Sequence, residues 1–202
     1  MRKSMSRIAV ALLACVLVVA CGQDKKLAEA AIKTAEDAVN AVPADVQKYA
    51  ADSYKAVTEL LAGAKDAFAR KDYKAALASA NQIGDKIKEA TAAAMAKKDE
   101  LTKAWTDLSA GLPGMVDAIK SRVDVLSAAK KLPAGMDKAK LDDAKAGLAA
   151  ATQSWSEASD AFKAGNLTDA LAKANSVKEK AVAIMQTLGM SVPPAASAPA
   201  AK

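Results

Sequence analysis

Apolar residues and their small partners recur at positions 46, 50, 54, 57, 61, 64 and 68, in steps of four and three that alternate from position 50 onward. The same rhythm returns at Leu141, Ala144, Leu148, Ala151, Trp155, Ala158 and Phe162. Steps of that kind keep one stripe of a 3.6-residue helix facing inward, and runs of alternating β-branched residues are absent. Breaking residues divide the pattern into six predicted helices. The first covers Asp24 to Val42 and stops at Pro43. The second runs from about Ala44 to Arg70. The third starts near Asp72 and continues to Ala110, or breaks near Lys97-Lys98. Pro113 is expected to open a fourth helix, which ends before Leu132-Pro133-Ala134-Gly135. A fifth runs from Asp137 to Ala164, and a sixth from Leu167 to Leu188. The expected fold class is all-α: an antiparallel, alanine-rich bundle of about six helices. The last residues, MSVPPAASAPAAK after Gly189, can bury nothing and are expected to be a disordered tail over 189–202.

The chain contains an internal echo. DAFARKDYKAALASAN, from Asp66, aligns without gaps on DAFKAGNLTDALAKAN, from Asp160, at an offset of 94 residues. Each copy is a helix end, a tight turn and the start of the next helix, so two related helical hairpins are expected. The run Ala161-Phe162-x-x-Gly165-Asn166-Leu167-x-x-Ala170-Leu171 resembles the inter-helix corner of tetratricopeptide repeats, in which small and aromatic residues let two antiparallel helices approach closely. The likeness spans about a third of a repeat in each half, and the offset departs from that family's period of about 34 residues. Gly165 is expected to need a positive φ, and Lys71 must adopt the same conformation at the aligned position. Phe68, Tyr73, Trp105, Trp155 and Phe162 fall on the inward stripes and read as the main volume fillers of an alanine-rich core.

The N-terminal segment follows a different logic. Arg2, Lys3 and Arg7 precede an unbroken apolar run from Ile8 to Ala20, and Gln23, Asp24, Lys25 and Lys26 end it sharply. A helix needs about 20 apolar residues to cross a hydrocarbon core, so this shorter run reads as an export signal. Val18 to Cys21, VVAC, resembles the lipobox of bacterial lipoproteins. In that family the cysteine receives a diacylglyceryl thioether and becomes the new N-terminus, which implies cleavage between Ala20 and Cys21 and lipidation of Cys21. LLAC, ending at Cys15, matches the box as well, but would leave a shortened apolar run before the cut and an exposed apolar segment after it. Gly22 stands where the enteric inner-membrane retention signal of the family has aspartate, so the resemblance implies the outer membrane. The organisation expected is a signal peptide over 1–20, a lipidated tether over 21–26, a helical domain over 27–188 and the tail.

Removal of the signal changes the charge balance. Three of the 29 basic residues are lost with it, which leaves 26 against 23 acidic groups, a net charge of +3. That balance, with no basic cluster interleaved with aromatics, argues against a nucleic-acid partner. The chain has no histidine, and its two cysteines are Cys15 and Cys21. With one removed and the other acylated, no thiol is left for a disulfide, a metal or a nucleophile. Absence of histidine excludes every Ser-His-Asp arrangement. Asp142-Asp143 and the pair Glu157/Asp160 are the nearest carboxylate candidates for acid–base work. Adjacent residues diverge on a helix, however, and an i, i+3 acidic pair is ordinary on a solvated face. No catalytic residue, metal site or cofactor is therefore expected. What remains is a non-enzymatic scaffold or interaction module. It would be held to the membrane by its lipid, facing the periplasm and meeting another envelope protein. The alternative is a binding protein that carries a lipid, quinone or peptide between its hairpins.

Overall fold

The computed structural model describes residues 23–193, and the described chain is helical throughout. Helix α1 spans 23–40, α2 spans Ala44–Tyr49, α3 Ala51–Ala69, α4 Tyr73–Ala128, α5 Lys138–Lys163 and α6 Leu167–Thr187. The all-α class is as expected, and among the described residues there is no strand. The predicted signal peptide, Cys21 and most of the predicted tail lie outside the described residues.

Two of the expected boundaries move. The segment from Ala44 to Arg70 is two helices, because Ala50 leaves the helical region at φ −135°, ψ 47°. No glycine or proline marks that break. Ala50 is buried together with Val46 and Tyr49, and its N–H still bonds the Val46 carbonyl at 2.9 Å. The second correction concerns Pro113. It opens no new helix: α4 runs straight through it as one element of 56 residues. Proline deletes one backbone bond and crowds the preceding turn. Burial of Leu112 at 2% exposure and Met115 at 6%, on either side of it, holds the backbone helical across the defect. The alternative break near Lys97-Lys98 is absent as well, since both residues are helical.

Packing divides the chain into two compact units, one up to Lys97 and one from Lys98. The core of the first is made by α1 (Ala28, Ile32, Ala35, Val39), α3 (Val57, Ala64, Ala67) and the first part of α4 (Ala76, Ala80, Ile83). In the second, the remainder of α4 packs with α5 and α6. Trp105 of α4 stacks on α5, and Gly147 of α5 lies against Ile184 of α6. No polar or charged residue is buried among the described residues, so the interior of each helix contact is apolar.

The internal echo extends beyond the residues that are identical. At the offset of 94, the buried Ala50, Val57, Ala64, Ala76, Ala80, Ile83 and Ala94 correspond to the buried Ala144, Ala151, Ala158, Ala170, Ala174, Val177 and Leu188. Both expected hairpins are present, α3–α4 and α5–α6. Their corners close with the same bonds. Lys71 N–H donates to Phe68 O and Asp72 N–H to Ala67 O, both at 2.9 Å. Gly165 N–H donates to Phe162 O at 2.9 Å and Asn166 N–H to Ala161 O at 2.8 Å. This six-to-one, five-to-two pair satisfies carbonyls that the helix end would otherwise orphan, and it requires a left-handed residue at the turn.

Candidate functional site

Cys21 and Ala20, the residues assigned to lipidation and cleavage, lie outside the described residues. The first described turn is helical from Gln23 onward. There, Ala28 and Ile32 face the core, whereas Lys25, Lys26 and Leu27 are exposed, Leu27 by 56%. The beginning of α1 thus carries two cations and one large apolar side chain outward.

Of the carboxylates singled out in the sequence, Asp142, Glu157 and Asp160 form surface ion pairs, and Asp143 is exposed. Asp142 approaches Lys145 at 3.8 Å, and Asp160 approaches Lys163 at 3.4 Å. Glu157 accepts from Lys173 Nζ of α6 and from Gln153 Nε2, each at 3.0 Å. Those hydrogen bonds, with the Lys173 one foremost, hold the Glu157 carboxyl below its ordinary value. A general acid needs the opposite shift, toward neutrality. Glu157 and Asp160 each turn to their own lysine, and the arrangement is a tie between α5 and α6. Among the described residues, no three His, Cys, Asp or Glu side chains come together in a metal-binding group.

The aromatics separate into two groups. In the first unit, Phe68 and Tyr73 meet edge to face across the α3–α4 corner, centroids 5.2 Å apart. In the second, Trp105 of α4 stacks on Trp155 at 5.3 Å and on Phe162 at 4.6 Å. Residues 155 and 162 lie two turns apart on α5, and the Trp105 ring contacts both. Of the five rings only Trp105 is buried; Phe68, Tyr73, Trp155 and Phe162 are half-buried. The rings pack against the core as their stripe positions suggest, four of them at its edge. Alanines at 64, 67 and 158 occupy the interior and push the larger rings toward the edge of each helix contact.

Two cavities of the second unit differ in chemistry. One, of about 230 Å³, is lined mainly by Leu108, Gly111, Leu112, Gly114 and Met115 of α4 and by Met185 of α6. It lies beside Pro113, where the two glycines expose bare backbone. The other, of about 450 Å³ and open to solvent, is lined by Arg122, the connection from Pro133 to Met136, Lys140, and the end of α6 from Gln186 to Gly189.

Arg122 is a residue that pattern reading passed over. The inward stripe of α4 runs through Leu101, Trp105, Leu108, Leu112, Met115, Ile119, Val123 and Leu126, and Arg122 sits half-buried beside it. An arginine at the edge of a stripe gives no signal in sequence, because a long charged side chain commonly lays its stem along apolar surface there. No protein family matches the chain, and no curated protein or solved structure does either.

Proposed function

We propose that this protein is an envelope lipoprotein, anchored through acylated Cys21 and facing the periplasm from the outer membrane, and that it serves as a non-enzymatic helical scaffold for another envelope protein. The observation that carries the reading is the junction of the lipobox with the first helix: the described chain is already helical at Gln23, two residues after the cysteine. Two residues of chain span at most about 7 Å. An anchor at Cys21 would therefore hold the start of α1 at the membrane surface, where exposed Lys25, Lys26 and Leu27 suit anionic headgroups and the acyl boundary. A partner would be met close to the membrane plane. No helix among the described residues is long and apolar enough to cross a membrane.

Cys21→Ser should abolish palmitate labelling and leave an uncleaved or soluble form, while Cys15→Ser should be processed normally. Loss of labelling in Cys15→Ser would place the lipid on the wrong cysteine and overturn the assignment. Sucrose-gradient fractionation tests the outer membrane against the inner.

The apolar cavity beside Pro113 favours the carrier reading. Its volume of about 230 Å³ falls below the range of roughly 300–1,000 Å³ usual for small-molecule sites. The scaffold reading is therefore preferred. Mass spectrometry of the native protein separates the two, since a carrier releases a co-purifying ligand and a scaffold does not.

A further inference from the structure

The chain does not leave the second unit when α6 ends. Gly189, at φ +65°, turns it back, and Met190 N–H donates to the Met185 carbonyl at 2.8 Å. Burial then alternates: Met190 and Val192 are half-buried, whereas Ser191 and Pro193 are exposed. Extended chain turns successive side chains to opposite sides, so residues 190–193 lie along the domain with one side against it. Pro193, the last described residue, forms part of the wall of the cavity of about 230 Å³ beside Pro113, with Leu108, Gly111 and Met115 of α4 and Met185 of α6. The described chain therefore stops at the edge of an apolar hollow. Residues 194–202, PAASAPAAK, follow directly. Val192 and Pro193 each precede a proline, which biases both toward extended backbone. A segment that arrives already extended has less freedom to lose on docking.

We propose that Pro194, Ala195 and Ala196 of the chain's own tail seat in this cavity, against the bare backbone of Gly111 and Gly114. The lengths agree. Leu108 to Met115 is about 10 Å of helix at 1.5 Å per residue, and three residues of polyproline-type chain cover about 9 Å. The chemistry agrees as well, since the tail offers proline and alanine to a wall made mainly of apolar residues. A Cβ built on Gly111 or Gly114 meets nothing within 4 Å, so the space above both glycines is open to an incoming segment. By itself a proline–alanine segment buries too little surface to bind tightly. Tethered at Pro193 it stays at a local concentration in the mM range, so a contact too weak to hold separate molecules is populated. The seat depends on neither the lipid anchor nor the scaffold role, and it leaves a carried lipid or quinone no room in the same hollow.

The test is nuclear magnetic resonance of the full chain in a mild detergent, ¹³C-labelled at the methionine methyls, beside a chain that stops at Pro193. The expected result is Overhauser contacts from Met115 and Met185 to Pro194 or Ala196, and movement of both methyl signals when the tail is removed. Met95, exposed in the first unit, is the internal control and should not move. Gly111→Leu, which fills the hollow with a better helix former than glycine, should abolish the contacts with helical content unchanged. Methyl signals of Met115 and Met185 that ignore the truncation overturn the proposal. Contacts that persist in Gly111→Leu overturn it too; should that variant not fold, the truncated chain decides alone. Contacts to lipid or detergent chains in place of the tail assign the hollow to an apolar ligand instead. In a mixture of labelled and unlabelled chains, contacts found only between molecules assign it to the tail of a second copy, and that also overturns the intramolecular seat.

Discussion

Lys71 and Gly165, 94 residues apart, hold the same left-handed backbone conformation, φ +65° and +73°, at the same place in two helical corners. A side chain is disfavoured there by about 1–2 kcal/mol, whereas glycine enters freely but loses more entropy on folding. A Cβ added at Gly165 would meet nothing within 4 Å, so the cost of a substitution there is conformational alone. Lys71→Gly should be neutral or stabilise by up to about 1 kcal/mol, and Gly165→Ala should destabilise by about the same amount. Urea denaturation of the two variants against the parent checks both signs.

Gly147 and Ile184 set the approach of α5 to α6. A Cβ at 147 would lie 3.0 Å from Ile184 Cδ1. Alanine gains about 1 kcal/mol over glycine inside a helix, but an extra methyl in a tight contact costs about 1–3 kcal/mol. Gly147→Ala alone should therefore be neutral or destabilising. In an Ile184→Val background the 3.0 Å contact with Cδ1 is gone and only Cγ1 at 3.2 Å remains, so the same change should cost less or stabilise. A double-mutant cycle should return a coupling of about 1 kcal/mol or more; a cycle that closes at zero would mean the contact is slack.

Pro113 is an exposed proline inside a continuous helix. Pro113→Ala restores a backbone hydrogen bond and removes the ring's clash with the preceding turn. Stability should rise, by up to about 3 kcal/mol, with helical ellipticity equal or greater. Destabilisation would show instead that the proline shapes the glycine-flanked cavity beside it.

Phe162→Ala opens the stack around Trp105. Half-burial places the expected loss below the roughly 3–5 kcal/mol of a fully buried ring, at about 2–3 kcal/mol. Both tryptophans of the chain belong to this stack, so their fluorescence should change with the substitution. Unaltered emission would contradict the stacked geometry.

The Glu157–Lys173 bridge gives a pH dependence of known sign. The hydrogen bond from Lys173 holds the Glu157 carboxyl below the ordinary glutamate range, and the same pairing raises Lys173 above the ordinary lysine range. The carboxylate's contribution is complete above the ordinary glutamate range and is lost as pH falls through the lowered folded value. The lysine's contribution is complete below its ordinary value and is lost as pH rises through the raised one. Glu157→Gln should flatten the acid limb of the melting temperature against pH between about 5 and 3. Added salt should shrink the difference, as befits an exposed pair.

The sequence by itself determined the helical class, both hairpins and the left-handed turn at Lys71. These follow from local rules: spacing along one helix, the φ restriction of a side chain, and the glycine at the aligned corner. Tertiary structure decided where helices are interrupted. Nothing local marks Ala50, where burial of Val46, Tyr49 and Ala50 outweighs helix continuity. At Pro113 the local rule for a break loses to Leu112 and Met115, which anchor both sides of it. Ring depth was decided in the same way: a stripe position faces the neighbouring helix, but the alanines beside Phe68 and Phe162 bring the helices too close for a large ring to sit between them. Arg122 shows the limit most clearly. Spacing from Ile119 allows either Arg122 or Val123 to face inward, and packing decides: Val123 is buried at 5% exposure, while Arg122 stays half-buried with its Nε closed off from solvent.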